Sequence, residues 1–96
     1  MIRHLVIFEF DKTKAKQEII QEIKNELETL PTIIPELKKI EVGININPAE
    51  KQDLSLTADL DTLDDLALYN QHPAHLAVGA KIRSILTQRT CVDYHI

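Results

Sequence analysis

The side chains best suited to chemistry in this chain fall in one stretch, YNQHPAHLAVG, where Tyr69, His72 and His75 lie within seven residues around Pro73. A neutral imidazole can take up a proton near pH 7, and a tyrosine hydroxyl can donate a hydrogen bond to a developing oxyanion. With a pocket beside them, His75 would remove a proton next to a carbonyl while Tyr69 stabilises the enolate oxygen. That is the chemistry of an aldol-type cyclisation or an isomerisation. The residues leave a second reading open, in which Tyr69 and His75 pack and cap the junction at Pro73.

Proline sets the local structure of this stretch. The residue before a proline is pushed out of the helical region, and proline suits the first position of a helix. One short helix is therefore expected to end at Tyr69 and a second to run from Pro73 to about Leu86, with His72 as its N-cap. His75 then falls in the first turn, where the helix dipole disfavours imidazolium. A three-nitrogen metal site from His4, His72 and His75 is set aside, because H-x-x-H is not the i, i+4 spacing that places two rings on one helix face. Neither a metal nor a cofactor is expected.

The elements around this stretch can be read from periodicity. MIRHLVIFEF is an expected strand in which His4 shares its alternation set with Ile2, Val6 and Phe8, so the ring points toward a core, either as a structural group or as a site member. Ile19, Ile20, Ile23, Leu27 and Leu30 recur at helical spacing and the helix should stop near Leu30, before Pro31 and Pro35. Ile40 to Ile46 and Leu54 to Leu60 alternate as two strands of a hairpin. Asp61 reads as the N-cap of the helix that follows, with Asp64 at its third position. QRTCVDYHI closes the chain as a fourth strand, in which Asp93 either bonds a histidine or faces outward; parity alone leaves this open. Cys91, in mid-strand, reads as a small apolar residue.

The order strand, helix, strand, strand, helix pair, strand defines an α+β split βαβ protomer, its helices on one face of a four-stranded antiparallel sheet. Leu5 and Ile7 point opposite to Val6 and Phe8, so the other face is not simply a solvent face, and pairing of two sheets in a homodimer would bury it. Ninety-six residues make one domain, 1–96. A net charge of -4 and only four aromatic residues among Phe, Tyr and Trp argue against nucleic-acid binding. The first apolar run, Leu5 to Phe8, is too short for a signal-peptide core or a membrane span, and a single cysteine builds no disulfide framework. These features lead to the expectation of a cytoplasmic protein without a membrane or nucleic-acid partner.

Four segments together resemble the stress-responsive A/B barrel, or Dabb, family: IRHLVIFEF, PTIIPELKKIEVGININ, DLDTLDDLALYNQHPAH and VDYHI. The resemblance implies a ferredoxin-like βαββαβ protomer with its second helix split in two, paired sheet against sheet into a dimeric α+β barrel. It implies no single activity: many members are stress-associated proteins, and some plant members are polyketide cyclases. Carried over from those cyclases, Tyr69 and His75 would serve catalysis, and His4 and Asp93 would line or support the site. A further cyclase histidine falls at or near Leu54 here. The expectation is therefore a small apolar or aromatic ligand in a pocket lined by His4, Tyr69 and His75. The alternatives are an enolate-forming enzyme of cyclase or isomerase type and a structural dimer without a ligand.

Overall fold

The computed structural model describes all residues, Met1–Ile96. The chain runs β1 (Ile2–Phe10), α1 (Gln17–Thr29), a 3-10 turn (Leu30–Thr32), β2 (Lys39–Ile44), β3 (Leu54–Leu60), α2 (Leu63–Gln71), α3 (Pro73–Ile85) and β4 (Leu86–His95). The strands form one sheet in the order β2-β3-β1-β4, with every neighbouring pair antiparallel.

Period-two alternation sorts β1 cleanly. Ile2, His4, Val6, Phe8 and Phe10 are buried on the helix side, while Arg3, Leu5, Ile7 and Glu9 are half-buried on the other. Helix α1 contributes Ile20, Ile23 and Leu27 to the same core, and Leu30 and Ile34 extend it past the end of the helix. Pro31 occupies the start of the 3-10 turn, where its missing N–H costs nothing. No helix is long and apolar enough to cross a membrane.

Helix α2 runs to Gln71 rather than Tyr69, up to the residue that caps it, and three other boundaries differ from those read in the sequence for a local reason. Strand β2 ends at Ile44 and not at Ile46, because Asn45 turns the chain: its Oδ1 accepts the Asn47 N–H at 2.9 Å and its Nδ2 donates to the Asn47 carbonyl at 3.0 Å. Such side-chain bonds compete with the strand ladder, and they leave Ile46 95% exposed. The N-cap of α2 is Thr62, not Asp61. Its backbone is extended and its hydroxyl accepts the Asp65 N–H at 3.1 Å, so Asp65 takes the third helical position expected of Asp64. Strand β4 starts at Leu86 rather than Gln88. A bulge opposite Glu9 and Phe10 absorbs Thr87, whose hydroxyl donates to the Glu9 carbonyl, and lets the strand follow α3 with no connecting loop.

The outer sheet face is divided along its width. On β2 and β3 it carries Lys39, Glu41, Ser55, Thr57 and Asp59, and the Arg3 guanidinium grips Asp59 through two bonds of 2.8 and 3.0 Å. That fork holds the Asp59 carboxyl below the usual carboxylate range, although Asp59 is only 5% exposed. On β1 and β4 the same face carries Leu5, Ile7, Val92 and Tyr94, and Val92 and Tyr94 are exposed.

Candidate functional site

Pro73 divides the second helical segment as its backbone preferences dictate. His72 caps both helices: its backbone is extended, its N–H donates to the Tyr69 carbonyl, and its Nδ1 accepts the Ala74 N–H at 3.1 Å. One ring nitrogen is thereby committed to the cap. His72 is a structural residue, as its position before a proline suggests.

The break at Pro73 brings the end of α2 against the start of α3. The Tyr69 and His75 rings meet with centroids 4.5 Å apart and planes tilted by 57°, and the His4 ring stands edge-on to Tyr69 at 6.4 Å. Register then completes the group. His4 on β1 lies directly across from Asp93 on β4, and its Nδ1 bonds the Asp93 carboxylate at 2.5 Å. The carboxylate accepts from Nδ1–H and fixes the orientation of the ring. Asp93 therefore faces the helix side, which settles the direction that strand parity left open. Tyr69, His75, His4 and Asp93 come together as one constellation.

Each ring sits in a different electrostatic setting. Burial lowers the pKa of His75 from the ordinary 6.5; the hydrogen bond to the Asn70 carbonyl opposes this, and the positive charges of Arg83 and Arg89 add to it. His75 Nδ1 lies 3.1 Å from the Asn70 carbonyl, so Nδ1 carries the hydrogen and Nε2 keeps its lone pair. Tyr69 is fully buried, and its hydroxyl has no hydrogen-bond partner. Burial raises its pKa and keeps the hydroxyl protonated. A buried polar atom left without a partner costs about 1–3 kcal/mol, which makes this hydroxyl a feature to be explained by something other than stability.

A cavity of about 210 Å³ lies between the sheet and the helices beside these rings. Val6, Phe8 and Leu56 supply its sheet wall, and Leu27 of α1 and Ile82 of α3 enclose the sides. His4 and His75 are its imidazoles. Tyr69 does not line it, contrary to the expected pocket. Complete burial places that ring behind the wall, where it packs against His75 and His4. Leu54, at the position of the further cyclase histidine, is a core residue on β3 away from this cavity. A larger, open depression of about 340 Å³ lies at the β2–β3 end of the sheet, remote from every ring of the constellation.

Three residues join the site that sequence reasoning had not placed there. Cys91 brings its Sγ to 3.4 Å from His4 Nδ1, and Arg83 and Arg89 stand on the cavity wall. The signal for Cys91 and Arg89 was their parity with Asp93 on β4, which becomes informative once the His4–Asp93 register is known. The atoms of His4, Cys91 and Asp93 that could ligate a metal lie within 4.8 Å of one another. The short bond to Asp93 already occupies His4 Nδ1, and burial raises the Cys91 pKa, which favours the thiol over the thiolate a metal needs. Hydrogen bonding among the three accounts for this cluster.

Four antiparallel strands in the order β2-β3-β1-β4, with the helices packed on one face, make this a ferredoxin-like α+β protein. The chain belongs to the Dabb family, the stress responsive A/B barrel domain, whose model matches residues 2–96. It is similar to a dimeric ferredoxin-like protein of unknown function from Bacteroides fragilis, with 33% identity, TM-score 0.85 and coverage of 99% of this chain and 95% of that one. It is likewise similar to a dimeric ferredoxin-like protein of unknown function from Thermobifida fusca, with 31% identity, TM-score 0.88 and coverage of 99% and 90%. A hydroxynitrile lyase from Passiflora edulis shares the fold at 19% identity, with TM-score 0.84 and coverage of 99% and 92%. No curated protein matches the chain.

Proposed function

We propose that the protein is a homodimer that binds a small, largely apolar molecule in the cavity between the sheet and α3. One observation carries this reading: a largely apolar cavity of about 210 Å³ has at its wall the unprotonated edge of His75 and the His4 ring, which Asp93 bonds from outside the lining. Convergent polar groups on an otherwise apolar concavity are the usual marks of a ligand site. The size suits a one-ring or short-chain molecule, since pockets for drug-sized ligands run to about 300–1,000 Å³. The apolar strip of Leu5, Ile7, Val92 and Tyr94 is the surface for the second copy, in keeping with the dimeric relatives above 30% identity. A cytoplasmic setting fits a single free thiol, Cys91.

The test uses phenol as the probe and the imidazole nitrogens of His75 as the readout. The phenol hydroxyl is expected to donate to Nε2 and move that resonance saturably, with no such movement in Tyr94 on the opposite face. An Nε2 resonance unaffected by phenol across the millimolar range contradicts the reading.

A second reading, enolate chemistry, is favoured by the unpartnered Tyr69 hydroxyl beside a histidine held neutral. His75 Nε2 would take the proton from a carbon next to a carbonyl, and the Tyr69 hydroxyl, behind the wall at rest, would donate to the enolate oxygen once its ring turns into the cavity. Acetophenone in heavy water reports this step as exchange of its methyl protons. On this reading the protein accelerates exchange and His75→Ala reduces the acceleration by about tenfold or more, the scale of a lost general base. Exchange at the buffer rate removes the catalytic reading and leaves the binding one.

A further inference from the structure

The cavity has a charge pattern that the ring constellation does not explain. In a chain with 15 acidic and 11 basic residues, no Asp or Glu lines it, whereas two arginines do. Four of the other nine basic residues pair with carboxylates: Arg3 with Asp59, Lys12 with Asp53, Lys24 with Glu28, and Lys81 with both Glu22 and Glu26. Arg83 and Arg89 form no ion pair. Their field is felt at the cavity, for both push the His75 pKa down and Arg89 opposes the rise in Tyr69.

The helix beneath Arg83 is shaped for it. Gly79 stands four residues earlier on α3, on the same helix face, and also lines the cavity. Its backbone has no positive φ, so ordinary helical geometry does not require a glycine there. A glycine in a helix interior is the poorer choice by about 1 kcal/mol against alanine. What its missing side chain provides is room: a Cβ at position 79 would come within 3.1 Å of Arg83 Nη1 and 3.9 Å of Cζ. The guanidinium folds back over the bare glycine and lies along the cavity wall.

The geometry points to a carboxylate-bearing ligand, its charged head held by Arg83 and Arg89 and its small apolar body against Val6, Phe8 and Ile82. This rests on the binding reading above and deepens it by naming the ligand class. Guanidinium suits the task because its planar fork meets a carboxylate through two parallel bonds. Arg83 and Arg89 are exposed at the rim of the cavity and in no ion pair, so the carboxylate supplies their counter-charge, and the apolar walls select against small hydrophilic anions. His75 remains for the other polar atoms of the ligand.

Benzoate, its neutral counterpart benzamide, and acetate are the probes, followed by amide chemical shifts in isotope-labelled protein. Benzoate is expected to move the amides of Gly79, Arg83 and Arg89 and to bind about tenfold or more tightly than benzamide or acetate, the scale of a charge-assisted bidentate contact. In the Arg83→Gln/Arg89→Gln double variant its affinity falls to that of benzamide. Gly79→Ala separates binding from stability: it raises Tm through helix propensity and weakens benzoate by displacing the guanidinium. Equal affinity for benzoate and benzamide in the cavity overturns the carboxylate assignment and leaves the binding reading intact. Benzoate affinity unchanged in the double variant overturns it as well. If neither aromatic probe moves a cavity resonance, both the assignment and the reading beneath it fall.

Discussion

The two faces of the one sheet use the same alternation for different ends. On the helix side His4 is buried in line with Val6 and Phe8, and it meets Asp93 from the neighbouring strand and Tyr69 from above. On the outer side the residues between them, Leu5 and Ile7 beside Val92, stay partly open, with the only buried charge on that face gripped by Arg3. The helix side encloses a cavity among polar groups whose bonding capacity is left over. The outer side presents an apolar strip beside a polar half whose one buried charge, Asp59, is bonded to Arg3. Unspent polar capacity next to a cavity suits a ligand, and an exposed apolar strip with a polar flank suits another protein surface.

The strongest way to break this comparison is through the core that joins the faces. Leu30→Ala removes a side chain 2% exposed and is expected to cost about 2–5 kcal/mol in chemical denaturation. A cost near zero would mean that the core is not the common support of both faces. Next, Val92→Asp places a charge in the centre of the outer strip. It is expected to leave the circular dichroism spectrum and the probe site unchanged while weakening self-association by a factor on the order of thirty or more, the scale of an interface hot spot. Sedimentation equilibrium reads this directly, and a wild type that is monomeric at micromolar concentration contradicts the assembly role.

Smaller effects sharpen the contrast. Arg3→Met leaves Asp59 buried without its partner and should destabilise the fold by about 1–3 kcal/mol, less to the extent that Arg3 is itself one-third exposed. Because Arg3 holds the Asp59 pKa down, the wild type keeps this contribution above the ordinary carboxylate value of 3.8 and loses it as pH falls through the depressed one. The variant should show a shallower loss of Tm in acid. Thr62→Ala, which removes the cap of α2, should cost about 1 kcal/mol without altering either face.

The smallest expected effect is at His75, whose lowered pKa makes the unfolded chain bind more protons than the folded one just below pH 6.5. Stability attributable to a neutral His75 is therefore present above 6.5 and lost as pH falls through the lowered value. His75→Gln should flatten the slope of Tm against pH between about 7 and 5. An identical slope in both proteins would show that His75 titrates as an exposed histidine does.

The fold was legible where a pattern is local. Alternation marked β1 and β3, helical spacing marked α1, and Pro73 both split the second helical segment and assigned His72 its cap. It was less legible where side chains redirect the backbone, as with the Asn45 turn that ends β2, or where a bulge removes the need for a loop, as at Thr87. In the site, Tyr69 and His75 could be seen together in sequence because only five residues, Pro73 among them, separate them. The His4–Asp93 bond depends on a register between the two ends of the chain, which no local pattern fixes. The resemblance supplied those two residues; the pairing of β1 with β4 supplied their reason. Tyr69's place behind the cavity wall, and Arg83 at that wall, depend on packing among several elements and had no sequence signature.

The most direct test of a ligand face and an assembly face on one sheet is a shift-perturbation map of the labelled protein with a panel of small aromatic probes. The account predicts that binders move His4, Asn70, His75 and Gly79 together, and leave Leu5, Ile7, Val92 and Tyr94 unmoved. Binders that gather on the outer strip, or a panel that moves none of the cavity residues, would contradict it.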